Sequence, residues 1–169
     1  SIAYNSTDDE FFVVWQGDDD TGTTIDNESE IWGQRINAST GANIGSMIRI
    51  SSNGPDGNGN FDATDASVAW DSTNNRYLVV WDSDDDTAPL VDNEREVFGR
   101  VMNADGTGFT SQFRISVMGN DAETDPTIRD NFRADNPQVA YNPGVDEFIV
   151  VWKGDDDTAP IVDNEEEVY

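Results

Sequence analysis

The chain repeats itself three times. A short segment that opens on small apolar residues and an aromatic recurs at residues 2–5, 68–71 and 139–142. Each copy is followed by an apolar run that ends in tryptophan, at residues 11–15, 77–81 and 148–152. The three tryptophans, Trp15, Trp81 and Trp152, are 66 and 71 residues apart. Self-similarity at such a period indicates a repeat architecture, in which each unit buries its core against its neighbours.

Each repeat holds up to four short apolar segments. The third lies at 30–33, 96–99 and 167–169, and the fourth at 47–51 and 112–116, while the third copy ends before reaching it. Short strands between turn-rich segments predict an all-β fold. Four strands per unit fit one propeller blade, whereas β-sandwich modules usually need about seven strands. We therefore predict a β-propeller-like array of four-stranded antiparallel blades, about two and a half in number: blade 1 at 1–67, blade 2 at 68–138 and a partial blade 3 at 139–169.

The second strand of each repeat is apolar without alternation. This pattern is typical of a strand that is covered on both faces, as in a blade between two neighbours. It predicts that Trp15, Trp81, Trp152, Phe12 and Phe148 belong to the core.

Composition excludes several classes of function. With 35 Asp and Glu against 9 Lys and Arg, the formal net charge is −26, so no basic face is expected to bind nucleic acid or an anionic membrane. The chain has no Cys and no His, which excludes disulfides, thiol nucleophiles, Cys or His zinc sites and imidazole catalysis. No apolar run approaches the ~18 residues that would span a bilayer, so membrane insertion is not expected. The chain opens at Ser1 inside a strand-like segment, which is expected of a mature or excised piece.

The excess acidity is concentrated in three hairpins, between the second and third strands of the repeats. They contain nineteen of the 35 acidic residues. Acids two residues apart point to one side of an extended chain, so several carboxylates converge and favour a shared hard cation, best Ca²⁺. The predicted calcium ligands are Asp18, Asp20, Asp26 and Glu28 in the first hairpin, Asp84, Asp86, Asp92 and Glu94 in the second, and Asp155, Asp157, Asp163 and Glu165 in the third. Solvated hairpins without a metal, or a halophile-type acidic surface, are the alternatives.

The repeats resemble a known type. The motif residues are Pro137, Val139, Ala140, Val150, Val151 and Trp152 in the third copy, Trp32, Gly33, Arg35, Asn37, Ala38 and Gly41 in the first, and Asn103, Ala104, Gly106, Phe113, Arg114 and Ile115 in the second. This order resembles the tandem repeats of long bacterial cell-surface and secreted proteins that are often labelled adhesin-like and stand beside cadherin-like or RTX-type calcium-binding segments. The resemblance implies an extracellular or cell-surface propeller-like module without enzyme activity. The acidic loop here is longer and more acidic than in the familiar versions.

Together these observations predict a non-catalytic, calcium-stabilised structural or adhesive module of a larger extracellular bacterial protein. Its expected partners are neighbouring repeats of the same or another chain, with self-association, and a glycan or surface ligand. The alternative is a lectin-like module that uses a rim aromatic, Tyr4, Trp70 or Tyr141. A glycoside hydrolase fragment would instead require one unrepeated acid pair, because catalysis needs two carboxylates in different environments. Arg49 and Arg114, which recur in Arg-Ile-Ser, are expected to form structural salt bridges to loop acids.

Overall fold

The computed structural model describes residues 1–18, 28–54, 58, 60–84, 95–118, 132–155 and 166–169. Over these ranges the chain forms eleven strands and no helix, which confirms the all-β prediction. The strands are β1 (Ile2–Asn5), β2 (Glu10–Asp18), β3 (Ser29–Asn37), β4 (Asn43–Arg49), β5 (Ala63–Asp71), β6 (Arg76–Asp84), β7 (Arg95–Asn103), β8 (Phe113–Arg114), β9 (Ala134–Asn142), β10 (Glu147–Asp155) and β11 (Glu166–Val168). None of the described segments is a helix long and apolar enough to cross a membrane.

The strands form three antiparallel sheets in which chain order is also spatial order. Sheet 1 is β1-β2-β3-β4, sheet 2 is β5-β6-β7-β8, and sheet 3 is β9-β10-β11. These are the four-stranded blades of a propeller, with the third described as far as its third strand. Sheet 2 begins at Ala63 and sheet 3 at Ala134, five residues before the positions at which the repeat pattern places blades 2 and 3.

The first two strands of every sheet are joined by the same tight turn. An Asn or Asp side chain at the end of the first strand accepts hydrogen bonds from backbone N–H groups two or three residues later, an arrangement that fixes a turn locally. These anchors are Asn5, Asp71 and Asn142. A left-handed residue follows in each copy, Asp9 (φ 53°), Asn75 (φ 49°) and Asp146 (φ 56°), a conformation that Asn and Asp tolerate better than other side chains.

Each sheet has two different faces, which we call its aromatic face and its aliphatic face. The aromatic faces carry Tyr4, Phe11, Trp15 and Trp32 in sheet 1, Trp70, Tyr77, Trp81 and Phe98 in sheet 2, and Tyr141, Phe148, Trp152 and Tyr169 in sheet 3. The aliphatic faces carry Val14 and Ile31 in sheet 1, Leu78, Val80 and Val97 in sheet 2, and Ile149, Val151 and Val168 in sheet 3; in sheet 1 this face also holds one aromatic ring, that of Phe12. Alternation along each strand assigns neighbouring residues to opposite faces.

The core lies between sheets and always joins unlike faces. The aliphatic face of sheet 1 packs on the aromatic face of sheet 2, where the Phe12 and Tyr77 rings are stacked with centroids 4.8 Å apart. The aliphatic face of sheet 2 packs in the same way on the aromatic face of sheet 3. Gly33 permits the first contact, because a Cβ at this position would lie 2.4 Å from Cζ of Phe12.

Burial on both faces is confirmed for the second strand of sheet 2 alone. In β6 every residue after Arg76 is buried, and Trp81 is fully buried. Phe12 is also buried, but Trp15 is 36% exposed, so its assignment to the core is wrong. Phe148 and Trp152 are partly buried against the second core. The physical reason is that β2 and β10 belong to the outer sheets, each of which has a neighbour on one face only among the described sheets.

Candidate functional site

The acidic hairpins are described only at their ends. Of the twelve predicted calcium ligands, Asp18, Glu28, Asp84 and Asp155 lie in the described residues, whereas Asp20, Asp26, Asp86, Asp92, Glu94, Asp157, Asp163 and Glu165 lie outside them. Within the ranges that the structure describes, no three His, Cys, Asp or Glu side chains are grouped to hold a metal ion. Glu28 is buried, and its Oε1 lies 3.3 Å from Nη2 of Arg49. At this position the positive charge beside the acid is therefore the guanidinium of Arg49.

The predicted salt bridges of Arg49 and Arg114 are confirmed. Arg49 binds Glu30, and Arg114 binds Glu96, and both glutamates are fully buried. Because burial disfavours a charged carboxyl, the pKa values of Glu30 and Glu96 are raised, although the arginine in each pair opposes the shift.

The serine of each Arg-Ile-Ser motif completes this arrangement. Ser116 donates to the Glu96 carboxylate, and its Oγ accepts the backbone N–H of Val97 at 2.7 Å. Ser51 makes the same two bonds, to Glu30 and to the N–H of Ile31. The recurring acids at the start of the third strands therefore fasten the end of the fourth strand to its sheet.

A different group of polar side chains lies between sheets 2 and 3 and does not recur. It consists of Thr64, Asp65, Asp82, Arg95 and Asp135, and we call it the inner-strand cluster. Thr64 and Asp65 are on β5, the first strand of sheet 2, and Asp135 is on β9, the first strand of sheet 3. β5 and β9 contact each other, which brings the three carboxylates into one region.

The two first strands carry the same bulge at the cluster. Thr64 and Ser67, three residues apart on β5, pair with Asp82 and Val80, which are only two residues apart on β6, so β5 has one extra residue. β9 has one extra residue opposite β10 in the same way. The extra residue is left-handed in both strands, Asp65 (φ 53°) and Asn136 (φ 53°). A left-handed non-glycine residue inside a strand costs about 1–3 kcal/mol, and bulges of this kind re-aim side chains beside functional sites.

Asp82 is the buried centre of the inner-strand cluster. Its residue is 1% exposed, and one carboxylate oxygen, Oδ2, accepts hydrogen bonds from Arg95 and from Oγ1 of Thr64 at 2.9 Å. The other oxygen, Oδ1, is buried and has no hydrogen-bond partner among the described residues. A buried carboxylate oxygen without a partner costs free energy, so this atom is a candidate to accept a hydrogen bond from a water or a ligand.

The two remaining carboxylates are closer to solvent. Asp135 lies 4.0 Å from Nε of Arg95 and 2.9 Å from Nε of Arg133, and its side chain is 17% exposed. Partial burial raises its pKa, while Arg133 lowers it and Asp82 raises it further. Asp65 is exposed as a residue, but its carboxyl loses part of its hydration, and this loss together with the nearby charge of Asp82 raises its pKa as well. Carboxyls with unequal environments around one guanidinium are the arrangement from which acid–base pairs are built.

Positive charge is also concentrated here. Lys153, on β10 next to Asp135, binds Glu166 at 2.7 Å. With Arg95 and Arg133 it makes three of the nine Lys and Arg residues of a chain whose net charge is −26. Partly exposed guanidinium and ammonium donors beside carboxylate acceptors can hydrogen-bond a ligand rich in hydroxyl groups.

Reasoning from the repeat missed this cluster, because it concentrated on acids that recur. The signal was nevertheless present. The residue after the recurring tryptophan is Gln16 in the first copy, Asp82 in the second and Lys153 in the third, so the middle copy alone has an acid there. The third strand of sheet 2 begins with Arg95, whereas the equivalent positions in sheets 1 and 3 are Ser29 and Glu166.

Comparison with known proteins gives a fold. No family model matches the chain, and no curated protein matches it. Among solved structures, it is similar to a Hadza microbial sialidase (TM-score 0.63, 10% identity, 92% of this chain and 32% of that chain) and to a thermostable family-43 glycoside hydrolase (0.52, 13%, 99% and 51%). It is also similar to an N-acetylgalactosamine deacetylase from F. plautii, in complex with blood group B trisaccharide (0.52, 14%, 90% and 44%). The chain spans about a third to a half of these proteins, and identities this low establish the fold alone.

These similarities correct the sequence-based expectation of a module without enzyme activity. All three proteins are enzymes, so the repeat architecture that suggested a non-catalytic array is one that carbohydrate-active enzymes share. The expectation also rested on the near-identity of the acids in each copy, and the inner-strand cluster shows an acid group that is not repeated.

Proposed function

We propose that this chain is part of a carbohydrate-active β-propeller enzyme of the glycoside hydrolase type, with the inner-strand cluster at its sugar site. The observation that carries the proposal is the unrepeated group of three carboxylates around Arg95, two of which, Asp65 and Asp135, lie on bulged first strands. A repeat needs no such departure to fold, since sheet 1 places a neutral Gln16 where sheet 2 has Asp82. The similarity to sialidase and glycoside hydrolase structures supports the same reading.

Differences in burial support different tasks for the three carboxylates. Asp82 is too buried to touch a sugar, and it positions Arg95 and Thr64. Asp135 and Asp65 face solvent to different extents, and hydrolysis of a glycosidic bond needs one carboxyl protonated and one ionised. Asp135, the more buried, is the candidate general acid, because a raised pKa keeps its proton available nearer to neutral pH. Asp65, the more exposed, is its ionised partner, and Arg95 donates to a sugar oxygen.

The test measures sugar binding and turnover separately. The chain is titrated with a panel of fluorogenic glycosides that includes a sialoside and an N-acetylgalactosaminide, and binding is followed by ligand-observed NMR. We expect a defined sugar to bind, and Asp135→Asn and Asp65→Asn to abolish turnover while weakening binding less. Glu147→Gln is the matched control, since Glu147 is an exposed acid at the opposite end of β10. Absence of binding across the panel, or equal turnover in all variants, would reject the proposal.

Calcium stabilisation of the three acidic hairpins remains a proposal beside this one. It is supported by the alternation of acids in the sequence and by their recurrence at fixed offsets from Trp15, Trp81 and Trp152. An extracellular or surface location and a link to adhesin-like repeats are proposals of the same standing, supported by the motif resemblance. Calcium in the hairpins and sugar in the cluster are compatible, because the residues involved differ.

A further inference from the structure

The positive charges around the inner-strand cluster are all compensated by acids of the protein itself. Each of the three basic side chains in this region forms a salt bridge. The pairs are Arg95 with Asp82, Arg133 with Asp135 at 2.9 Å, and Lys153 with Glu166 at 2.7 Å. Among the described residues of this region, an anionic group of a ligand would therefore have to displace one of these acids from its partner.

Asp65 is the acid that remains when these pairs are counted. It forms no salt bridge with a Lys or Arg of the described residues, and it is exposed at the left-handed position of the β5 bulge (φ 53°). Loss of hydration and the charge of Asp82 raise the pKa of Asp65, and only the more distant charge of Arg95 opposes them. The charge left over at the solvent side of the cluster is thus negative.

The surroundings of the cluster have the same sign. The two strands that bring Asp82 and Lys153 to it, β6 and β10, end at Asp84 and Asp155, where two of the acidic hairpins begin in the sequence. A region lined by charge of one sign concentrates ligands of the opposite sign and repels ligands of its own. The electrostatics therefore favour a cationic ligand over a neutral one, and a neutral ligand over an anionic one.

We infer that the sugar held at the inner-strand cluster is a 2-amino sugar, whose protonated amine binds the carboxylate of Asp65. The inference rests on the proposed function and names the substrate class of that site. There Asp65 is the ionised carboxylate that faces the reacting anomeric carbon, and the amine of a 2-amino sugar is on the adjacent ring carbon. A carboxylate placed at the first carbon is thus within reach of the second, and an ammonium donates charge-assisted hydrogen bonds to it.

The experiment compares sugars that share one ring and differ in charge. Binding of the methyl glucosaminide, glucoside and glucuronide is measured by ligand-observed NMR at pH 6, where an amine with a pKa of about 8 is protonated. The galacto series is measured in parallel. We expect the amino sugar to bind about two- to fivefold more tightly than the neutral sugar, as one solvated ion pair allows, and the uronide to bind most weakly. The preference should shrink as salt is raised from about 0.02 M to about 0.5 M.

Asp65→Asn tests the carboxylate to which the amine is assigned. Asparagine has the same shape and tolerates the left-handed conformation, so the bulge should be kept. We expect this variant to bind the amino sugar and the neutral sugar equally. Glu147→Gln, which removes an exposed acid at the opposite end of β10, should keep the preference. Ethanolamine, an amine without a sugar ring, should not bind detectably, which separates the site from general attraction to a chain of net charge −26.

The outcomes distinguish the inference from the proposed function. Sugars that bind without any preference for the amine would overturn the inference and leave the proposed function standing. Binding of the uronide as tightly as the amino sugar has the same meaning, and so does a preference that Asp65→Asn retains, because the amine would then be attracted by other groups. Absence of binding by every sugar would reject the proposed function, and the inference with it.

Discussion

Replacement of Arg114 by methionine is a direct test of how the buried glutamates are tolerated. Glu96 is fully buried, and its carboxylate is held by Arg114, by Ser116 and by the backbone N–H of Met118 at 2.7 Å. Removal of one member of a buried ion pair leaves an uncompensated charge and typically costs about 3–5 kcal/mol. We expect Arg114→Met to lower the free energy of unfolding at pH 7 by about that amount, measured by urea titration with tryptophan fluorescence.

The pH dependence separates lost charge compensation from lost packing. The pKa of Glu96 is already raised by burial, and without Arg114 it rises further. A carboxyl whose folded pKa exceeds its unfolded value of about 4.5 loses stability as pH increases between the two values, because the folded state retains the proton longer. The deficit of the variant should therefore be small near pH 4 and grow towards pH 7.

Two controls complete the experiment. Arg100→Met removes an arginine of the same sheet whose bonds go to the carbonyls of Thr110 and Ile50, so its cost should not vary with pH. Glu96→Gln combined with Arg114→Met removes both charges and should recover most of the stability lost in the single variant. A deficit in Arg114→Met that is constant from pH 4 to pH 8 would refute the argument, since it would show that the arginine acts by packing.

Three further predictions concern the scaffold. Gly33→Ala should cost about 1–3 kcal/mol in urea unfolding, because its Cβ would overlap Phe12, whereas Gly41→Ala meets no neighbouring atom and should lose only the smaller cost of its φ of +70°. Asp71→Asn should keep the turn but lose the charge-assisted bond from Arg76. We expect this to lower the free energy of unfolding by about 1–3 kcal/mol at pH 7. Burial alone would raise the pKa of Asp71, but the hydrogen bonds from its turn and from Arg76 outweigh burial and lower the pKa below 3.8. The difference in unfolding free energy between Asp71→Asn and wild type should therefore shrink as pH falls through and below that value. Calcium should raise the melting temperature more than a monovalent salt of matched ionic strength, and EDTA should reverse the gain; equal effects of the two salts would mean that the hairpins are only screened.

The sequence predicted the fold well, because the fold is periodic. A strand that ends in tryptophan at three equivalent positions left few architectures open, and the salt bridges of the Arg-Ile-Ser motif followed from the same recurrence. The prediction of burial was wrong at Trp15, because the sequence of a strand is the same whether or not a neighbouring sheet covers it. Burial there depends on position in the array, which the repeat pattern does not encode.

The candidate site was harder to predict for a related reason. Comparison of repeats emphasises what they share, and in this chain the shared acids that the structure describes at the start of β3 and β7, Glu30 and Glu96, are structural. Asp82 and Asp135 belong to different strands and come together only when sheet 3 packs on sheet 2. No spacing rule in one dimension connects them, so the three-dimensional contact had to be seen first.

The contrast between repeated and unrepeated features also explains how a symmetric scaffold can hold a single site. The turns, the paired faces and the buried glutamates recur, and each holds a blade together or fixes it to the next. The inner-strand cluster uses the same bulge in β5 and β9, but different side chains occupy it, Thr64 and Asp65 in one strand and Asp135 and Asn136 in the other. The same β-bulge, present in both strands, thus places two different sets of polar side chains in one region. In a propeller, a difference between neighbouring blades is therefore the first place to look for chemistry.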